Sequence, residues 1–203
     1  MTQHGWDTTD APVISDPVPV PAEVIARLRL PGDRSLPPSL QRWLAFDGSW
    51  LTELGWLKSP QHPLLEGQPL GETTAQMHGF TEQDGPWVEV FTAFEGLLPG
   101  RCFPLVGGCD SRRLLYPGEA DSTGEYPILV TDIDDLPYVA VMYPGLDVYL
   151  AELAGVIDLD FDDYTSLTHH AEYGSRMREH ADRTGLGPEG TEIQDRDWSD
   201  SSG

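Results

Sequence analysis

The residues of this sequence that could do chemistry are mostly carboxylates, and they occur in two runs. The longer run, Asp158-Leu159-Asp160-Phe161-Asp162-Asp163, is similar to the opening of a calcium loop because its acids alternate. A twelve-residue calcium loop needs glycine at its sixth position and glutamate at its twelfth, but Asp163 and His169 stand there. We therefore predict a solvated acidic loop between two helices.

The shorter run, Asp132-Ile133-Asp134-Asp135, follows a predicted strand, and we interpret it as a turn in which aspartate side chains bond the local backbone. A second interpretation stays open. If the fold brought the two runs together, their carboxylates could hold a divalent ion, as in a metal-binding protein or a metal-dependent hydrolase. No spacing in the sequence requires the two runs to meet.

Other catalytic signals are weak. His169, His170 and His180 fall on one predicted helix without the spacing of a zinc site. The loop Gly107–Arg113 contains Cys109 beside two arginines that could activate a thiolate, but no histidine base is adjacent. Six residues separate Cys109 from Cys102, and we interpret both cysteines as reduced structural thiols. We predict no enzyme activity, no cofactor and no resident metal, although catalytic groups that converge only in the fold would escape this reasoning.

Composition excludes several partners. The 203 residues include 34 acidic and only 12 basic side chains, which gives a net charge of −22. Nucleic acid and anionic membranes both need clustered cations, so neither is an expected ligand. The sequence has no secretion signal and no apolar stretch of 18 residues, so a cytoplasmic location is expected.

Apolar periodicity predicts helices at both ends of the chain and strands between them. This order is typical of an α+β fold with a mostly antiparallel sheet of four to five strands. A single domain is expected over residues 19–184, between disordered tails at 1–18 and 185–203, the second of them acidic. The predicted helices cover 21–28, 37–46, a turn near 72–78, 146–157 and 164–184, and the predicted strands cover 87–91, 102–106, 113–116, 127–130 and 138–142.

Three tryptophans lie close together near the end of the second predicted helix. We expect Trp43 to belong to the core, since tryptophan at such a position usually covers apolar side chains. Trp50 and Trp56 are left open, because exposed tryptophans beside an acidic loop would serve as anchors of an interface.

Two stretches resemble the SUKH superfamily. The first runs from Ile25-Ala26-Arg27-Leu28 through Leu36-Pro37-Pro38-Ser39-Leu40 to Asp47-Gly48, with a helix, a Leu-Pro pair, a second helix and a turn. The second includes Gly124-Glu125-Tyr126-Pro127 and Tyr143-Pro144-Gly145-Leu146. The resemblance implies an α+β fold without catalytic machinery and, in bacteria, a frequent role as an immunity protein that neutralises a toxin, often a nuclease.

The charge of the chain agrees with that implication. Nuclease toxins tend to be cationic, and an anionic inhibitor gains association rate and specificity against a basic surface. We therefore expect a binding protein for a basic toxin, or an interaction module for another protein partner. The expected contact residues are Asp132, Asp134, Asp135, Asp158, Asp160, Asp162 and Asp163, with Trp50 or Trp56 as anchors.

Overall fold

The strands follow one another across the sheet in the order of the chain. The computed structural model describes residues 17–56, 65–80, 87–106, 111–133 and 137–192. Each strand pairs antiparallel with the next, so the sheet is a six-stranded meander. Its strands are β1 (Gln68–Pro69), β2 (Arg101–Pro104), β3 (Arg112–Leu115), β4 (Ile128–Asp132), β5 (Tyr138–Tyr143) and β6 (Thr191–Glu192).

Helices precede, interrupt and follow these strands. They are α1 (Ala22–Ile25), α2 (Pro38–Phe46), α3 (Trp50–Glu53), α4 (Leu70–Met77), α5 (Trp87–Leu97), α6 (Leu146–Leu153) and α7 (Gly174–Thr184), with a 3-10 turn at Ser166–His169 before α7. The predicted α+β class is confirmed, with one more strand than expected.

Both faces of the central strands are buried. Ile128, Leu129 and Val130 of β4 point alternately to opposite faces, and all three are fully buried. On one face Thr74 of α4 contacts Thr131, with 3.5 Å between the hydroxyl oxygens. On the other face the ring of Tyr143 packs against aromatic rings of α6 and of the chain that follows it. The sheet therefore lies between two helical layers.

Helix α5 replaces a predicted strand. The alternation in Trp87–Phe91 predicted β structure, and that prediction is wrong, since these residues begin an eleven-residue helix. The helical period emerges only further along, where Phe91, Phe94 and Leu98 are buried at spacings of three and four residues. Gly71 of α4 lets the two helices approach closely, because a Cβ there would overlap the Phe91 carbonyl.

The last predicted helix is two separate elements. The 3-10 turn ends at His169, and α7 begins five residues later at Gly174. A side chain at Gly174 would come within 2.5 Å of the Thr168 carbonyl oxygen, so the bend depends on glycine. Helix α7 ends as predicted at Gly185, whose φ of +74° is the left-handed conformation of a helix C-terminus.

Parts of the predicted tails are folded. Gly48 donates a backbone hydrogen bond to Val18, at the end of the predicted N-terminal tail. At the other end β6 pairs with Tyr138 and Val139 of β5. The remaining tail residues, 1–16 and 193–203, lie outside the described residues.

Among the described residues, no helix has both the length and the hydropathy of a membrane span.

Replacement of Phe94 tests the position of α5. Phe94→Ala is expected to lower the free energy of unfolding by about 3–5 kcal/mol, because the ring is fully buried. The matched control is Phe46→Ala, at a ring that is 54% exposed, for which about 1 kcal/mol or less is expected. Urea denaturation of both variants measures the difference, and equal losses would contradict the packing described for α5.

Candidate functional site

The longer acidic run is an extended segment with two unlike sides. Between Ile157 and Tyr164 the apolar side chains pack against the core, and Phe161 meets the edge of the Tyr143 ring at a centroid distance of 5.4 Å. The acids that alternate with them are exposed. The alternation that resembled a calcium loop therefore separates a half-buried apolar side from an exposed anionic side. Its exposed carboxylates belong to Asp158, Asp160, Asp162 and Asp163.

Asp163 also shapes the chain after it. Its carboxylate accepts hydrogen bonds from the backbone N–H and hydroxyl of Thr165, and from the hydroxyl of Ser166. Burial acts to raise the pKa of Asp163, but these hydrogen bonds outweigh it and lower the pKa below its usual value. Asp163 thus stays ionised while it positions the 3-10 turn.

The two acidic runs meet at a pair of tyrosines. Tyr164 donates a hydrogen bond of 2.6 Å to Asp132 at the end of β4, and its ring stacks on Tyr138 at a centroid distance of 6.1 Å. Burial raises the pKa of Tyr138 to about 12, aided by the charges of Asp163, Glu189 and Glu192. The fold therefore gathers acids from β4, β6 and the extended segment at one end of the sheet.

Asp134 and Asp135 lie outside the described residues, as does the side chain of Trp50, which begins α3. In the described part of the chain, no group of three or more His, Cys, Asp or Glu side chains could hold a metal ion. Of the predicted contact residues, Asp132 and Asp163 lie beside the same tyrosine pair, Tyr138 and Tyr164.

The prediction of an exposed anchor is wrong for Trp56. Its side chain is only 1% exposed, and its indole N–H donates to the Pro104 carbonyl at 2.9 Å. The ring also packs on Phe103 of β2. Tryptophan is amphipathic, so a core that supplies an acceptor for the indole N–H can hold it completely.

The cysteine loop gives no activated thiolate among the described residues. Cys109 lies outside them, while Cys102 is a free, fully buried thiol whose pKa burial raises. Arg112 donates to the Met77 carbonyl, and Arg113 donates to the hydroxyl of Ser111 at 2.6 Å. Both arginines are thus held by other groups.

Sequence reasoning missed a buried ion-pair network centred on Arg176 of α7. Arg176 donates to Asp121 at 2.5 Å and to both carboxylate oxygens of Asp147 at 2.8 and 3.2 Å. The Asp121 side chain is fully buried. The partners lie 55 and 29 residues from Arg176 along the chain, so no local motif indicates the pairing. The network ties α7 to α6 and to the loop before β4.

Glu125 extends this network to α2. That helix follows Pro37 and begins with Pro38, so no capping side chain is present at its start. The Glu125 carboxylate instead accepts from the backbone N–H of Ser39 at 2.8 Å and from its hydroxyl at 2.5 Å. Burial raises the pKa of Glu125 although the bonds from Ser39 act to lower it.

His180 is the titratable member of the network near neutral pH. Its Nε2–H donates to the Pro144 carbonyl at 3.0 Å, and its buried Nδ1 has no hydrogen-bond partner among the described residues. A proton on Nδ1 would gain no acceptor, and burial lowers the pKa of His180 below its usual 6.5 despite the nearby Asp121. Arg176 also opposes the imidazolium form, whereas Glu179 favours it.

Comparison with known proteins identifies the architecture only. No protein-family model matches the chain, and no curated protein matches it. A crystal structure of an uncharacterized protein from Salmonella enterica subsp. enterica serovar typhimurium str. 14028s is similar with a TM-score of 0.58 and 19% sequence identity. The alignment covers 90% of this chain and 89% of that chain. A likeness at this identity shows a shared fold.

Removal of the central cation is expected to destabilise the protein strongly. Arg176→Met would leave Asp121 charged and buried, which costs about 3–5 kcal/mol in the free energy of unfolding. The control is Arg178→Met at an exposed arginine of α7, which loses one hydrogen bond to the Thr168 carbonyl and is expected to cost about 1 kcal/mol. Adding Asp121→Asn to Arg176→Met is expected to recover part of the loss, and no recovery in urea denaturation would contradict the electrostatic origin.

Stability is expected to depend on pH through His180. As pH falls through 6.5, the unfolded chain takes up a proton that the folded chain resists, so this contribution to stability is present above that pH and is lost below it. His180→Gln, whose amide can still donate to Pro144, is expected to reduce the fall in unfolding free energy between pH 7.5 and 5.5. The control His169→Gln changes an exposed histidine. If both variants keep the wild-type pH dependence, His180 is not its source.

Proposed function

We propose that this chain is a non-enzymatic binding protein that covers a basic surface of a protein partner. The specific role proposed is immunity of the SUKH type, in which the partner is a cationic, nuclease-like toxin and the complex forms in the cytoplasm. The observation that carries the proposal is the extended segment at residues 157–164, which packs its half-buried apolar side against the core and exposes its acids.

The acidic segment is preorganised for binding. Its apolar side chains pack against the core. At its C-terminal end Tyr164 donates a hydrogen bond to Asp132, and Asp163 accepts one from the backbone N–H of Thr165. A rigid anionic surface loses little conformational entropy when a partner binds. The net charge of −22 would also steer a cationic partner toward the complex at low ionic strength.

Occlusion also explains why the acids need no catalytic arrangement. An inhibitor that covers the phosphate-binding surface of a nuclease must match its charge over an area, and no single carboxylate must reach a reacting atom. The resemblance to SUKH proteins likewise implies no catalytic residues. The structural neighbour, an uncharacterized protein, adds the fold alone to this proposal.

The first experiment is a pull-down from the native cell's lysate with the tagged full-length chain, washed at low and then at high salt. We expect a basic protein that elutes with salt and, when purified, loses nuclease activity on addition of one equivalent of this chain. A captured protein that is acidic, or whose activity is unchanged by the chain, would overturn the proposed immunity role.

Charge removal on the segment is expected to slow association. The triple variant Asp158→Asn, Asp160→Asn and Asp162→Asn should lower the association rate constant by about tenfold at 50 mM salt and weaken its salt dependence, because exposed interface charges act mainly on this rate. Stopped-flow or surface-based kinetics with the purified partner measures both quantities.

The matched control removes three exposed acids elsewhere, at Glu23, Glu95 and Glu119, each replaced by Gln. It makes the same change in net charge and should lower the rate by about threefold or less. Equal effects of the two triple variants would reject the acidic segment as the contact surface and leave only a general effect of net charge.

A further inference from the structure

A small cavity lies at the end of the sheet opposite Asp132. The tight turn that follows α1 forms one wall, and the start of β2 and the chain just after β3 form the others. Its volume is about 220 Å³, below the range of about 300–1,000 Å³ that is usual for drug-sized ligands. A ligand that fits it is therefore no larger than a single ring with a substituent.

Two arginines line this cavity. Arg34 follows a turn closed by backbone hydrogen bonds with Leu30, and its guanidinium donates to the Pro31 carbonyl at 3.3 Å. Arg101 begins β2 and donates to the Gly67 carbonyl at 2.9 Å. Within the described residues neither guanidinium forms an ion pair with a carboxylate. Each of them therefore retains N–H donors for a ligand.

The ring of Tyr116 forms an apolar wall of the cavity that Arg34 and Arg101 also line. Its hydroxyl donates to the Pro99 carbonyl at 3.2 Å, which fixes the ring. Glycines border the ring on both edges: a Cβ at Gly118 would lie 2.6 Å from one edge carbon, and a Cβ at Gly100 would lie 3.4 Å from the opposite one. Prolines at positions 31, 99 and 117 complete the apolar part of the lining.

The charge of the cavity is opposite to that of the chain. All nine of its lining residues are in the described part of the chain, and they include two arginines and no acid. Both arginines are exposed, so this pocket can accept an anion from solvent although the chain has a net charge of −22. A guanidinium recognises carboxylate and phosphate oxygens, while proline and tyrosine walls favour an apolar body.

We propose that this cavity binds a small organic carboxylate, with the carboxylate between Arg34 and Arg101 and a flat apolar body against Tyr116. This site is independent of the partner surface at the other end of the sheet. A carboxylate is preferred to inorganic phosphate because phosphate would leave the apolar lining without contacts.

The test is an amide NMR titration of the full-length protein with benzoate, and with benzamide as an uncharged probe of the same shape. Benzoate is expected to saturate with a dissociation constant on the order of 1 mM, since it has only nine non-hydrogen atoms. The shifted amides should include Gly32, Gly100 and Gly118. Benzamide should bind at least tenfold more weakly.

The double variant Arg34→Gln and Arg101→Gln should weaken benzoate binding at least tenfold. Its control is Arg27→Gln with Arg42→Gln, which removes two exposed arginines that also donate to backbone carbonyls but do not line the cavity. The control should stay within about twofold of wild type.

Three outcomes would overturn the proposal. Benzoate and benzamide could bind equally, the two double variants could weaken binding equally, or the shifted amides could lie away from the three glycines. Tighter binding of inorganic phosphate in a parallel titration would replace the carboxylate assignment.

Discussion

The fold depends on a cation that is buried among acids. Arg176 is 15% exposed and bridges Asp121, which is fully buried, and Asp147 at the start of α6. Burial of the Asp121 carboxylate acts to raise its pKa, but hydrogen bonds from Thr123 and Arg176 lower it below its usual value. In a chain with few basic residues, one arginine thus bridges two acids that α6 and the loop before β4 bring together. Gly145 makes room for it, because a Cβ there would come within 2.7 Å of the Arg176 guanidinium and of the side chains of Asp147 and Glu125.

The network also determines where the exposed charge can lie. The chain between α6 and α7 is held by Asp147 before it and by Arg176 after it, so the intervening acidic segment follows a fixed course over the sheet. It reaches Asp132, while the turn after α1 and the start of β2 place two arginines at the opposite end of the sheet. Antiparallel pairing with β3 makes β2 and β4 run in the same direction. The start of β2 and the end of β4 therefore lie at opposite ends of the sheet.

Local signals predicted the elements that depend on local chemistry. The predicted strands at 127–130 and 138–142 are β4 and β5, and the predicted helix that begins at the Pro37-Pro38 pair is α2. The same reasoning failed at Trp87–Phe91, where five alternating residues were too few to distinguish a strand from the first turns of a helix. The surroundings of the acidic run and the partners of Arg176 and Glu125 depend on the fold as a whole. The acids at 158–163 can be recognised as a run in the sequence. That Leu159 and Phe161 between them face the core could be seen only once the position of the core was known. The ion pairs of Arg176 and the hydrogen bonds of Glu125 join residues far apart in the chain, so no pattern within one helix or strand predicts them.

The outermost strands have a consequence for association between copies. Both β1 and β6 are only two residues long, and Pro69 in β1 has no backbone N–H to offer. On the other side, Tyr138 holds the turn before β6 by donating to the Glu189 carbonyl at 2.5 Å, and α7 packs beside β5. A long, unpaired strand is the usual template for amyloid-like stacking. Among the described residues neither β1 nor β6 is long enough to be such a template, so stacking of copies on these two strands is disfavoured by their length as well as by charge repulsion.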